Sequence, residues 1–374
     1  MSRLVLLTAL LLAAALPRPA LAAKHARHPA PQPAPPPTAA YQRLAAITLP
    51  GGVIRDAAWL DGSRLLVLQQ QPDGVNVVSV NYAKLTETTF ISSGFMGENI
   101  CPAAAASSLN WLVGPRRQHL FFTWTEARQR RWALLDISGA PQFRLKHMDT
   151  PDGMKVAQAL FSPDERYIAL VHDATAGACD VSVLVVDLST GQEAWRVDSH
   201  SLSFIEGLWW AGAVYDTPRF YASAKLYNGV FHAVPGLAAF DLKAQKLTYT
   251  PPAAGGSLLL GASALWGRID AYAAKEAAGG PAYRLEAAIP GQKNLKPLAL
   301  SSPPLRLQCL SVPGLALVSN TTDYMTYELW LVNLLTGDKQ KVDGDCGGFD
   351  IAPDNRLLVR AHDRNELRIY ELGH

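Results

Sequence analysis

The stretch "FSPDERYIALVHD", residues 161–173, returns almost unchanged near the end of the chain as "IAPDNRLLVRAHD", residues 351–363. Both copies close on a His-Asp pair, His172-Asp173 and His362-Asp363, which either performs chemistry twice or punctuates a repeat. Spacing separates the two readings. Ser162 and Ala352 hold equivalent places 190 residues apart, four repeats of about 47.5. Thr190-Gly191 and Thr336-Gly337 lie 146 apart, three repeats of about 48.7.

Around these markers, short runs alternate apolar and polar residues between Gly, Pro, Asp and Asn, which is the pattern of strands. One class includes "RLLVLQQ" (64–70), "HLFFTWTE" (119–126), "RFYASAKL" (219–226) and "RLLVRAHD" (356–363). A second class follows each, as in "VSVLVVDLSTG" and "ELWLVNLLTG", where an apolar run meets Asp or Asn and a tight hairpin turns into one more strand. No segment keeps a helical period over three turns. Self-similarity at 40–50 residues with four strands per period marks β-propeller blades.

From Tyr41 on, seven units fit, near 51–100, 101–153, 154–203, 204–254, 255–302, 303–345 and 346–374. The last supplies only "GFDIA", "RLLVRAH" and "ELRIYEL", whereas "YQRLAAITLP" (41–50) precedes the first unit with no partner of its own. The sequence therefore predicts an all-β, seven-bladed β-propeller over 41–374, closed by an N-terminal strand so that no sheet edge stays exposed.

The first residues indicate a compartment. Arg3, an apolar run from Leu4 to Leu16 and the site Ala20-Leu21-Ala22 read as a signal peptide over 1–22. The run is shorter than the about 20 residues a membrane helix needs, so an uncleaved anchor is the weaker alternative. Residues 23–40 are Pro- and Ala-rich, an extended linker rather than a ligand for a Pro-binding domain. His25 and His28 in this stretch are read as solvated. The expected product is periplasmic or secreted, with no membrane span. The first 40 residues hold four basic side chains (Arg3, Arg18, Lys24, Arg27) and no acidic one. The 34 basic and 32 acidic residues of the whole chain thus become 30 and 32 from Tyr41 on, a net charge of −2. No basic cluster suited to phosphates follows, which argues against nucleic acid.

"SPDERYIALV" and "APDNRLLVRA" resemble the Ser-Pro-Asp-Gly repeats of bacterial TolB-like and WD-repeat-like propellers, and "VVDLSTG" resembles the hairpin that follows in those blades. Glu165 and Asn355 stand where that superfamily usually has Gly. The resemblance implies a blade and is silent on activity. It places both His-Asp pairs where the second strand ends, at the start of the loop leading to the third. Asp there is expected to accept hydrogen bonds from turn N–H groups. Units three and seven lie nearly opposite in a ring of seven, too far apart for metal bonds of about 2 Å. The pairs are structural turn residues, with local catalysis as the alternative.

The strong catalytic and cofactor motifs are absent: no Gly-x-Ser-x-Gly, His-Glu-x-x-His, P-loop, Gly-x-Gly-x-x-Gly or Cys-x-x-Cys. No cofactor or metal is implied. Polar positions on the first strands, Arg55, Asp56, Asn110, Gln158, Glu206, Arg306, Gln308 and Asp350, are candidates for a binding ring at the channel mouth, or simply the wet wall of a channel. Trp209, Trp210 and Tyr215 are candidates for packing between blades or for anchoring a partner. Four Cys in an exported chain read as disulfides, and the blade assignment favours Cys101–Cys179 and Cys309–Cys346 among three connectivities. A module binding a protein or small ligand on the face where the second strands end is the expected function. The alternative is a propeller enzyme, either a hydrolase with scattered residues or a subunit of a periplasmic dehydrogenase. Oligomeric state is not legible.

Overall fold

The computed structural model describes residues 40–148, 150, 154–173, 181–199, 202–211, 219–227, 233–241, 246–250, 257–263, 267–273, 283–288, 298–300, 304–312, 314–321, 327–362 and 364–373. All belong to the compact unit Pro36–His374. The expected signal segment 1–22, the linker 23–40 up to residue 39, Cys179, Tyr215 and Asp363 lie outside the described residues. So do the side chains of His172, Asp173, Glu206, Trp209, Trp210 and Arg306.

Strand β1 (Tyr41–Thr48) opens the described chain. The first four-stranded sheet holds β2 (Val53–Trp59), β3 (Arg64–Gln71), β4 (Gly74–Asn81) and β5 (Thr86–Ile91). The second holds β6 (Asn110–Val113), β7 (His119–Glu126), β8 (Gln129–Asp136) and β9 (Arg144–Lys146). The third holds β10 (Val156–Phe161), β11 (Tyr167–Asp173), β12 (Val181–Asp187) and β13 (Glu193–Ser199). The fourth holds β14 (Leu202–Ala211), β15 (Arg219–Tyr227), β16 (Ala233–Asp241) and β17 (Lys246–Thr250). The fifth holds β18 (Ser257–Ser263), β19 (Gly267–Ala273), β20 (Tyr283–Ala288) and β21 (Leu298–Leu300). Then come β22 (Pro304–Cys309), β23 (Leu315–Thr321), β24 (Tyr327–Asn333), β25 (Lys339–Ile351), β26 (Arg356–Ala361) and β27 (Glu366–Leu372).

These last six strands join β1 in one seven-stranded sheet, ordered β1-β27-β26-β25-β24-β23-β22. The strand expected after "ELWLVNLLTG" and the strand "GFDIA", read as separate in the sequence, are one strand, β25. It pairs with β24 up to Cys346 and with β26 from Cys346 onward. β1 runs antiparallel to β27, from Tyr41 opposite Leu372 to Thr48 opposite Glu366. A short helix α1 (Ser93–Asn99) departs from the all-strand expectation. Seven residues are too few for a helical period to show, and α1 stands on its Ser92 cap and the burial of Met96.

The middles of the second strands in the first, second, third and last sheets, at residues 65–68, 120–122, 168–171 and 315–318, are apolar at consecutive positions because both faces are covered. Leu65 and Val67 of β3 enter a cluster with Ile47, Leu358, Leu367 and Ile369. Their neighbours Leu66 and Leu68 point the other way, into a cluster with Leu120, Phe122 and Leu135. Phe121, between Leu120 and Phe122, packs with Ile168, Leu170 and Leu184 of the next sheet. Alternation thus binds the first sheet to the last and to the second, and the second to the third. Each fully buried Leu, Val or Phe contributes about 1.5–3 kcal/mol of transfer free energy.

Asp and Asn hold the hairpins between third and fourth strands. Asp136 Oδ1 accepts from Ser138 N–H at 3.0 Å and from its hydroxyl at 2.6 Å. Asp187 does the same with Ser189 at 2.8 and 2.5 Å, and Asn333 accepts from Leu335 N–H at 2.8 Å. Gly191, at φ 75°, closes its hairpin where a Cβ would stand 2.5 Å from the His147 carbonyl oxygen. His172 and Asp173, by contrast, are still inside β11 rather than in the loop, with Ser182 and Val181 opposite them. His362 follows β26, and its N–H donates to the Asp345 carbonyl at 3.3 Å.

Candidate ligand-binding channel

Three cavities follow the first strands of the second and third sheets. A cavity of about 240 Å³ lies at the start of β6, between Asn110, Thr123, Thr125, Arg130 and Val156. A second, about 300 Å³, continues it past Trp111, Leu112, Phe121, Gln158 and Leu160. Thr123 and Ala157 belong to both walls. A third, about 390 Å³, shares Leu112 and Leu160 with the second and reaches the turns after the first strands, bounded by Arg117, Gln308, Ser311, Asp350 and Asn355. Neighbouring cavities share wall residues, so the three lie in series as a candidate stepped channel, with a largely apolar middle cavity and polar outer ones.

The sequence-predicted polar positions sit at different depths in it. Asn110 lines the first cavity, Gln158 the second, and Gln308 and Asp350 the third. They do not form one ring. Asn110 begins β6 whereas Asp350 is the penultimate residue of β25, and each residue along a strand advances about 3.3 Å. Arg55 is exposed, with its guanidinium on the Ser107 carbonyl at 2.7 Å.

Asp56 is not a free ligand contact. Its carboxylate accepts from its neighbour's N–H, Ala57, at 2.9 Å and from the Trp111 indole N–H at 2.9 Å. Burial pushes its carboxyl above the ordinary range, and Asp350 adds to this, against the pull of Ala57 N–H, Arg360 and Trp111. Asp350 accepts from Trp59 N–H at 2.9 Å and from Arg117 at 2.9 Å. That joins the last sheet to the first and second at once. Arg117 stands at φ 59°, a left-handed conformation that a non-Gly residue adopts only when its surroundings hold it.

Of the residues in the usual Gly place, Glu165 clamps the third sheet to the second, and Asn355 clamps two turns of the seven-stranded sheet together. Glu165, at φ 56°, is buried beneath the second sheet's first turn. Its carboxylate accepts from Arg116 N–H at 2.6 Å and Gln118 N–H at 3.0 Å, and contacts His119 Nδ1 at 2.9 Å. Asn355, at φ 64°, accepts from Ser311 N–H at 2.9 Å and its hydroxyl at 2.8 Å. Gly at either place would satisfy the backbone and lose the clamp. The departure from Gly was visible in the sequence; the partner turn was not. Arg117 and Arg130 carried no signal, since charged residues in turns and hairpin strands usually face solvent.

No disulfide joins Cys309 to Cys346, which corrects the expected pairing. Cys309 ends β22 at its turn, opposite Ala316. Cys346 pairs with Ala361 where the second half of β25 begins, five residues before Ile351 and at the end away from the β25–β26 turn. Five residues of strand put about 16 Å between those levels, and a disulfide requires Cα atoms within about 7 Å. The Cys346 thiol is pushed up to about 12 and the Cys101 thiol to about 11, chiefly by burial. Neither is poised as a nucleophile. The Cys101–Cys179 pairing falls on Cys179, outside the described residues.

No protein-family model matches the chain, and no curated protein matches it in sequence. Solved structures do match in fold. The β-propeller domain of the Trilobed protease from Pyrococcus furiosus aligns with a TM-score of 0.57 at 8% identity, covering 86% of this chain and 93% of that one. Oligogalacturonate lyase from Vibrio parahaemolyticus gives 0.58 at 9% identity, covering 90% and 97%. The WD40 β-propeller domain of Doa1 gives 0.51 at 12% identity, covering 89% and 97%. At such identities the likeness is one of fold alone. Consecutive antiparallel sheets, shared in fold with these structures over most of the chain, make this protein a β-propeller.

Proposed function

We propose that the chain is an exported propeller of seven blades, its last blade completed by β1, that binds a small ligand in the stepped channel. Export is supported by the charged start, apolar run and Ala-Leu-Ala site of residues 1–22. Seven blades are supported by the series of first strands β2, β6, β10, β14, β18, β22 and the second half of β25. Closure is supported by the pairing of β1 with β27 and by the packing of β2 against β25 and β26.

The observation that carries the binding reading is the serial arrangement of the three cavities, each sharing wall residues with the next. Their summed space falls in the range of ordinary ligand sites, with an apolar middle and hydrogen-bonding ends. The polar groups offered are amides, hydroxyls, the Arg130 guanidinium and the Arg117–Asp350 pair, which recognise rather than attack. The ligand enters on the face where the second strands end, beside Asn110. Thr123→Trp fills the point shared by the first two cavities. Thermal-shift screening of the mature chain against a small-molecule library is expected to give stabilising hits that Thr123→Trp loses. Hits that persist in that variant would refute the channel as the site. Conversion of a hit to product would favour the enzyme alternative.

A further inference from the structure

We infer that the channel takes an organic anion, its carboxylate, sulfonate or phosphate head held by Arg130 and its apolar body lying against Leu112, Phe121 and Ala159. The inference deepens the binding reading above and rests on it. Among the described residues of the first cavity's wall, Arg130 is the one charged side chain; the rest are hydroxyl, amide or apolar. The second cavity's described wall is uncharged and carries the aromatic and aliphatic surface. Charge therefore stands at one end of the series, as an amphipathic anion requires.

Strand geometry explains the sorting. Arg130 lies directly opposite Thr125, and Trp132 opposite Thr123, so these four share one face of the hairpin β7–β8. That is the face of Phe121, turned to the third sheet. Glu126, the hairpin's acidic residue, is one position out of phase and faces the other way. It acts there on Cys101, whose thiol it helps push up. The carboxylate that could neutralise Arg130 is thus on the wrong side of the strand.

The guanidinium is also held in place. Its Nη1 donates to the Val156 and Ala157 carbonyls at 3.3 and 3.4 Å, across the gap to the third sheet. Its Nε and Nη2 donate to no acceptor among the described residues, which leaves one edge of the fork for a ligand oxyanion. The two-residue turn that sets this register holds Ala127 at φ 48° and Arg128 at φ 66°. Positive φ at both central residues is the turn geometry that matches the twist of a two-residue hairpin, so the register is firmly set. A longer loop would free the register that puts Arg130 opposite Thr125.

The test compares two dyes with the same aromatic body on the mature chain. One is 8-anilino-1-naphthalenesulfonate, an anion; the other is neutral N-phenyl-1-naphthylamine. The anion is expected to bind saturably at about one per chain, roughly tenfold tighter than the neutral dye. Arg130→Gln should bring it down to the neutral dye's affinity and leave the neutral dye unchanged, whereas Arg130→Lys should keep part of the difference. Arg130 is exposed, so these variants should melt like the parent. Equal affinity of the anion for parent and Arg130→Gln overturns the anion assignment while leaving the channel standing. Binding of both dyes undiminished in Thr123→Trp overturns the channel reading itself.

Discussion

Glu165 offers the sharpest test of how the sheets are joined, because its backbone and its side chain pull in opposite directions. At φ 56° the residue sits where Gly is more stable by about 1–2 kcal/mol. Its buried carboxylate meets Arg116 N–H, Gln118 N–H and His119 Nδ1 at 2.6–3.0 Å. Hydrogen bonds to a charged group contribute about 1.5–3 kcal/mol each, less than additively where they share one acceptor. Glu165→Ala keeps the strain and loses the bonds, so it should cost about 4 kcal/mol. Glu165→Gly loses the same bonds but relieves the strain, so it should cost about 3 kcal/mol. Gly114 supplies the independent check. A Cβ there would stand 2.2 Å from the Glu165 carboxylate, so Gly114→Ala must expel the clamp. It should cost nearly as much alone, and less than about 1 kcal/mol when added to Glu165→Gly. Urea unfolding followed by tryptophan fluorescence reads all four proteins of the cycle. Parent-like stability of Glu165→Gly, or an undiminished Gly114→Ala penalty in its background, would refute the clamp.

Asp343 carries an acid dependence. Burial opposes its ionisation, but hydrogen bonds from Tyr370 and Asp345 N–H and the Arg368 guanidinium outweigh it and hold the carboxyl below its usual range. A depressed folded value means stability that is complete above about pH 4 and drains away as pH falls further. Asp343→Asn should lower the melting temperature at pH 7 and flatten its fall between pH 4 and 3, as followed by circular dichroism. A parallel fall in both proteins would count against this. With thiols at about 12 and 11, Cys346 and Cys101 should resist iodoacetamide at pH 8 until the protein unfolds, and mapping without reduction should yield no peptide bridging Cys309 and Cys346. Rapid native labelling, or that bridge, would reject the placement. Deleting residues 1–48 removes the partner of β27 and should cause aggregation or loss of cooperative melting. A truncation that melts like the parent would refute closure.

The repeat was legible because covering both faces of a strand requires an unbroken apolar run. A hairpin then requires an Asp, Asn or Gly at a fixed offset from it, and both are local demands written locally. They located the strands, β1 among them, and the first strands that carry the polar candidates. What they could not convey was height along a strand and phase across a gap. Cys309 and Cys346 looked adjacent because their strands neighbour each other, yet they stand at opposite ends. Asn110 and Asp350 looked like members of one ring and line separate cavities. Glu165 announced itself only as a departure from Gly, while the turn it grips lies 46 residues back along the chain. Arg130 read as one more exposed charge until the register of β7 with β8 turned it toward the third sheet and Glu126 away from it. One residue of phase reverses the face of a strand, and only the packed sheets fix that phase.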